Sequence, residues 1–127
     1  MRMSRSPARK LVVKVTCGTD DPERANQAFT VAAAACASGV AVSLWLTGEA
    51  VFLGVPGAPS LGLEHATPVA DLLAVVLAAE AGEVTACSQC VVRRGLGQAD
   101  LLPGVRVAGA AVFAEEILMP DVQAIVY

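Results

Sequence analysis

Two cysteines three positions apart, Cys87 and Cys90, are the side chains of this sequence whose spacing best suits chemistry. A thiol reacts as its thiolate, and a helix N-terminus or a nearby arginine favours that form. Cys87 follows Glu83-Val84-Thr85-Ala86, a short strand-like run, and precedes a stretch that reads as a short helix ending near Gly95. It is therefore expected at or just before a helix start. Arg93 and Arg94 follow within two turns, and Arg94 shares a helix face with Cys90 at spacing i, i+4. A Cys-x-x-Cys pair allows three chemistries. It can be a thioredoxin-like redox couple, although here it follows the third strand rather than an early one. It can be half of a zinc site, which needs four ligands. It can be a sulfur-carrying nucleophile with an auxiliary thiol.

In open α/β sheets, sites gather where strands end and helices begin. Cys17 after the first strand, His65 before the helix starting at Pro68, and Cys87 with Cys90 all map to that edge. A zinc reading would recruit Cys17, His65, Cys87 and Cys90 together. Cys36 lies near the end of its helix, at the opposite edge, and reads as a small core residue. His65 is the sole histidine and reads as a surface loop residue. Cys17-Gly18-Thr19-Asp20 lacks the glycine and lysine spacing of a phosphate loop. No nicotinamide, flavin or nucleotide cofactor is expected. Glu115-Glu116 reads as a solvated helix face, and Arg106 as a strand residue pairing with a carboxylate or a subunit partner.

The elements that must position these residues are legible in outline. Leu11 to Thr16 is rich in β-branched residues and predicts a buried strand. Asp21-Pro22 predicts a helix start, with Asp21 as cap. Ala25, Ala28, Phe29, Ala32 and Cys36 recur at helical spacing up to the stop at Gly39. Ala28 to Gly48 carries no charge, yet Ser38-Gly39 divides it into an Ala-rich helix and the strand Val40 to Leu46. Helix, turn and strand explain it better than a membrane span. A long connection runs from Thr47 to Thr67, with one helical turn over Glu49 to Leu53. Thr67-Pro68 opens a second helix bearing Val69, Leu72, Leu73, Val76 and Leu77, stopped by Gly82. After Cys87 come a strand at Val105 to Val107, a helix from Gly109 to Leu118 and a closing strand at Val122 to Val126. Alternating strands and helices predict a single α/β domain over residues 10–127. Its five-stranded sheet is mostly parallel, with helices on both faces. Residues 1–9 read as a flexible basic tail.

Composition narrows the function. Hydrophobic types make up 55% and charged types 17% of the 127 residues. That apolar excess is more than a small domain buries, so subunit contacts are expected. The net charge is −3 and aromatics are only 4%, which argues against nucleic-acid binding. No secretory leader is expected, so four cysteines point to reduced thiols or metal rather than a disulfide scaffold.

With these elements in place, the chain resembles the DsrE/DsrF-like sulfur-relay family, which has the YchN-like fold. The resemblance is strongest over Ala86-Cys87-Ser88-Gln89-Cys90-Val91-Val92-Arg93-Arg94-Gly95-Leu96. There the family commonly has a cysteine after the third strand and a short helix ending in Arg-Gly. The Gly-Thr-Asp-Asp-Pro start and the closing strand add to it. The resemblance implies a cytoplasmic, sulfurtransferase-like carrier. Cys87 would bear a persulfide, Cys90 would assist or resolve it, and Arg94 or Arg93 would stabilise the anion. It implies sulfur donor and acceptor proteins as partners and a trimeric or hexameric assembly. The rival expectation is an oligomeric ligand- or metal-binding module without transfer activity.

Overall fold

The structure, a computed structural model, describes residues 9–127. The basic residues 1–8 of the expected tail lie outside the described residues. Five strands, β1 (Lys10–Val15), β2 (Ala41–Leu46), β3 (Gly82–Cys87), β4 (Val105–Ala108) and β5 (Val122–Val126), form one sheet in the order β4-β3-β2-β1-β5. Every pairing is parallel, so the expected mostly parallel sheet is wholly parallel.

This strand order decides which face each helix covers. From β1 to β4 the chain steps in one direction, and right-handed crossovers place the intervening helices on one face. These are α1 (Pro22–Ala37), α2 (Val69–Ala78) and α3 (Ser88–Arg93). The step from β4 back to β5 crosses the whole sheet in the other direction. Its helix, α4 (Ala110–Ile117), therefore falls on the second face. Three helices cover the first face and one short helix serves the second.

The core reflects this asymmetry. Val13, Val15, Val42, Leu44, Leu46, Val84 and Ala86 point to the first face and pack with Ala25, Ala28, Phe29, Ala32, Leu72, Leu73 and Val76 of α1 and α2. Cys36, expected in the core, is only half-buried at the end of α1 and packs against the core's rim. Strand alternation turns Lys10, Lys14, Ser43, Trp45, Glu83, Thr85, Cys87 and Arg106 to the second face. There α4 has no buried residue, and Val112, Leu118, Met119 and Val126 are exposed.

Local signals resolve with some changes. Asp21 occupies the cap position of α1 but makes no cap hydrogen bond; its carboxylate pairs with Arg24 at 3.4 Å. Pro68, not Thr67, occupies the N-cap position of α2, with no side-chain cap hydrogen bond. Gly82 does not stop α2, which ends at Ala78, but begins β3. The first part of the long connection is a 3-10 turn, Gly48–Gly54, whose Ala50, Val51 and Leu53 are buried. It is therefore part of the core. Gly48 makes this possible: its φ is +54°, and a Cβ there would lie 2.6 Å from the Thr16 carbonyl oxygen. The exits of β1 and β2 thus meet backbone to backbone. Among the described residues no helix is long and apolar enough to cross a membrane.

Candidate functional site

The site forms at the carboxyl end of β3. Cys87 is both the last residue of β3 and the residue before α3, with φ −65° and ψ 125°. Extended backbone there turns its side chain over the first helical turn. α3 is only six residues long, and two features fix it. Val91 inserts into the core. At the far end Gly95, at φ +70°, lets its own N–H reach the Val92 carbonyl and that of Leu96 reach the Val91 carbonyl, both at 3.0 Å. This is the Schellman closure, and it accounts for the glycine after Arg94.

Cys87 is half-buried. Burial pushes its thiol upward, but the opposing influences prevail and hold it below the usual thiol range. These are the backbone N–H and thiol of Cys90, the backbone N–H of Gln89 and the charge of Lys14. No tight cap hydrogen bond closes on the sulfur. The stabilisation is the summed pull of several donors and one cation, spread over the first turn of α3.

Lys14, which the sequence pattern does not single out, is the cation acting on the Cys87 thiol. It lies on β1, beside Trp45 of β2, which in turn pairs with Thr85 of β3, so it shares the second sheet face with Cys87. Its Nζ sits 4.8 Å from the centroid of the Phe113 ring. Among the described residues it has no carboxylate within ion-pair reach, unlike Lys10 and Arg106. The alternation of β1 placed Lys14 on a face, but only the neighbouring strands show that Cys87 shares it.

The arginines lie differently from expectation. Arg94 directs Nε to Glu49 at 3.1 Å and donates from Nη1 to the Cys90 carbonyl at 3.3 Å. It is not among the groups acting on the Cys87 sulfur. It ties the backbone of Cys90 to the 3-10 turn. Arg93 is exposed and, with Ser88, Gln89 and Val92, borders a shallow open groove along α3.

The other edge candidates do not join the pair. Cys17 is 4% exposed, and its thiol is pushed up by burial and further by Asp21 and Asp20, against the weaker pull of Arg24. Burial likewise pushes up the Cys36 thiol. His65 is exposed in the loop before α2, at φ +56°. Among the described residues no three of His, Cys, Asp or Glu gather closely enough to hold a metal ion. The set Cys17, His65, Cys87 and Cys90 is thus not assembled.

Below Cys87, the second face carries a polar cluster centred on Glu116. Its Oε1 accepts from Ser43 Oγ at 2.6 Å and from Trp45 Nε1 at 3.0 Å; its Oε2 pairs with Lys10 at 3.4 Å and Arg106 at 3.5 Å. Arg106 also reaches Glu83 at 3.5 Å and donates to Thr85 Oγ1 at 2.6 Å. Glu116 is thus not on a solvated face, whereas Glu115 is exposed. Burial pushes the Glu116 carboxyl upward, but Ser43, Trp45 and Lys10 outweigh it and hold it below the usual carboxylate range. With Phe113 edge-on to Trp45 at 5.2 Å, this cluster fastens α4 to the sheet.

The match to the DsrE/DsrF-like family runs over residues 9–122, nearly the whole described chain. The chain belongs to this family. DsrE/DsrF-like proteins are associated with sulfur relay. The fold of this member is similar to that of the YchN protein from E. coli, with a TM-score of 0.76 and 20% identity over 94% of this chain and 98% of that one. A protein of unknown function from Methanobacterium thermoautotrophicum is similar at a TM-score of 0.65 and 15% identity, over 93% of this chain and 98% of its own. Another of unknown function, from Bacteroides thetaiotaomicron, gives 0.58 and 17%, over 94% and 95%. No curated protein matches the chain in sequence.

Proposed function

We propose that this DsrE/DsrF-like protein is an intracellular, cytoplasmic sulfur-relay carrier with Cys87 as the sulfur-bearing nucleophile. The observation that carries the reading is the environment of Cys87. It is a half-exposed thiol held below its ordinary range at a strand-to-helix junction, while Cys17 and Cys36 are pushed the other way. A carrier needs a thiolate that attacks and a sulfur that partners can reach. The Cys87 thiolate attacks the outer sulfur of a donor persulfide. A new sulfur–sulfur bond forms, and the donor leaves as its thiolate. Transfer onward repeats the step with an acceptor thiolate, and Cys87 is the leaving group.

Lys14 favours the anionic sulfur, and Arg94 positions Cys90. The expected trimeric or hexameric assembly belongs to this proposal too. The exposed apolar residues on α4, just after it and on β5, with Leu118 after α4 at 81%, support an interface there. The donor and acceptor are proteins that present a persulfide or a thiol to the groove beside Arg93.

The test is intact-mass measurement of the reduced protein after incubation with inorganic polysulfide. A one-sulfur adduct lost in Cys87→Ser and kept in Cys36→Ser is the expected result. No adduct on the wild-type protein would overturn the carrier.

A further inference from the structure

The position of Cys90 relative to Cys87 carries a second chemical step. Cys87 stands immediately before α3 and Cys90 is its third residue, so the two side chains share the first turn. Residues three apart on a helix have Cβ atoms about 5–6 Å apart. A disulfide needs Cα atoms within about 4.4–6.8 Å and closer Cβ atoms. Cys87 occupies the N-cap position and Cys90 the third helical position, the spacing of a capping box. The Cys90 thiol is among the groups that lower the Cys87 thiol. The backbone of Cys90 is held in register by Arg94, itself held by Glu49. Cys17 is enclosed, and Cys36 lies at the opposite end of the strands. Among the described residues Cys90 is the one thiol placed to meet Cys87.

We propose that Cys90 discharges a persulfide carried on Cys87, attacking Cys87 Sγ to form a Cys87–Cys90 disulfide and release the terminal sulfur as hydrosulfide. The inference rests on the carrier reading and adds an outcome to it. The Cys90 thiol first gives its proton to solvent. The Cys90 thiolate then forms a bond to Cys87 Sγ. The bond between Cys87 Sγ and the terminal sulfur breaks, and its electron pair leaves with that sulfur, which takes one proton from solvent to depart as hydrosulfide. The sulfane sulfur is reduced and the two cysteines are oxidised, so no outside oxidant enters. A small-molecule or protein dithiol then returns the pair to the reduced state. A loaded carrier that meets no acceptor would thereby empty itself as sulfide.

The experiment uses the full chain in a Cys36→Ser background, loaded anaerobically with inorganic polysulfide and freed of excess by gel filtration. Free sulfide, intact mass and linked peptides are followed with time. The expected result is decay of the one-sulfur adduct to a species two hydrogens lighter than the reduced protein. One equivalent of sulfide should accompany it, and Cys87 should be found joined to Cys90. In Cys90→Ser the adduct should persist and sulfide release should be lost. An adduct equally long-lived in both proteins, or one that migrates to Cys90 without sulfide, would overturn the discharge step and leave the carrier standing. No adduct in either protein would overturn both.

Discussion

Replacing Glu116 with alanine tests how α4 is held to the second face of the sheet. The substitution removes the acceptor shared by Ser43 and Trp45, which are 0% and 1% exposed. A buried donor left without an acceptor costs about 1–3 kcal/mol. The pairs with Lys10 and Arg106 add little, because those cations are 30% and 46% exposed and solvent screens them. Water entering beside the shortened side chain recovers part of the loss, so the expected destabilisation is about 2–4 kcal/mol. Domains of this kind have about 5–15 kcal/mol in total. At about 4 °C per kcal/mol for a chain of this size, the melting temperature should fall by about 8–16 °C. The assay is urea and thermal unfolding at neutral pH. Glu115→Ala serves as the control and should stay within about 0.5 kcal/mol of wild type. Because folding depresses the Glu116 carboxyl, its ionic contribution is present above the unfolded value of about 4.3 and is lost as pH falls through the folded value. The gap between Glu116→Ala and wild type should therefore narrow in acid. A loss below about 1 kcal/mol at neutral pH would refute the reasoning, since two buried donors would then have found other acceptors.

Two further outcomes follow from the site. The midpoint of the pH–rate profile for Cys87 alkylation by iodoacetamide should lie below that of a free thiol. Lys14→Met keeps the apolar stem over Phe113 and should move the midpoint upward, Lys14→Arg should restore it, and an unmoved midpoint would remove Lys14 from the site. Denaturant titration should rank two glycines: Gly95→Ala is strained only by its φ and should cost about 1 kcal/mol, whereas Gly48→Ala adds a clash with the Thr16 carbonyl and should cost clearly more. Equal effects would argue against the close backbone contact.

What the sequence disclosed and what it hid divide along a physical line. Strands, helices and the placement of Cys87 rest on neighbours in the chain: β-branched runs, Asp21-Pro22, and Gly39 and Gly95 after their helices. Those patterns carry the α/β architecture and the strand-to-helix junction. The network around Glu116 depends on how α4 crosses the sheet and joins residues more than seventy positions apart, such as Ser43 and Glu116. No local pattern encodes that. Arg94 looked like a partner for the thiolate because Cys90 and Arg94 share a helix face. The competing carboxylate, Glu49, comes from the 3-10 turn after β2, the strand beside β3, and claims the guanidinium. Lys14 was hidden for the same reason, since its relation to Cys87 runs through two strand pairings.

The pairing of β5 with β1 also bears on how the chain folds. Lys10 meets Val122, so this edge closes only after more than a hundred intervening residues are available. Contacts of such long sequence separation form late. During synthesis β1 therefore waits with one edge unpaired, a surface that invites pairing with another chain. Lys10 and Lys14, alternating along that strand, place two charges where an intruding strand would dock. The lysine that faces a thiolate in the finished protein would thus also discourage aggregation of the unfinished one.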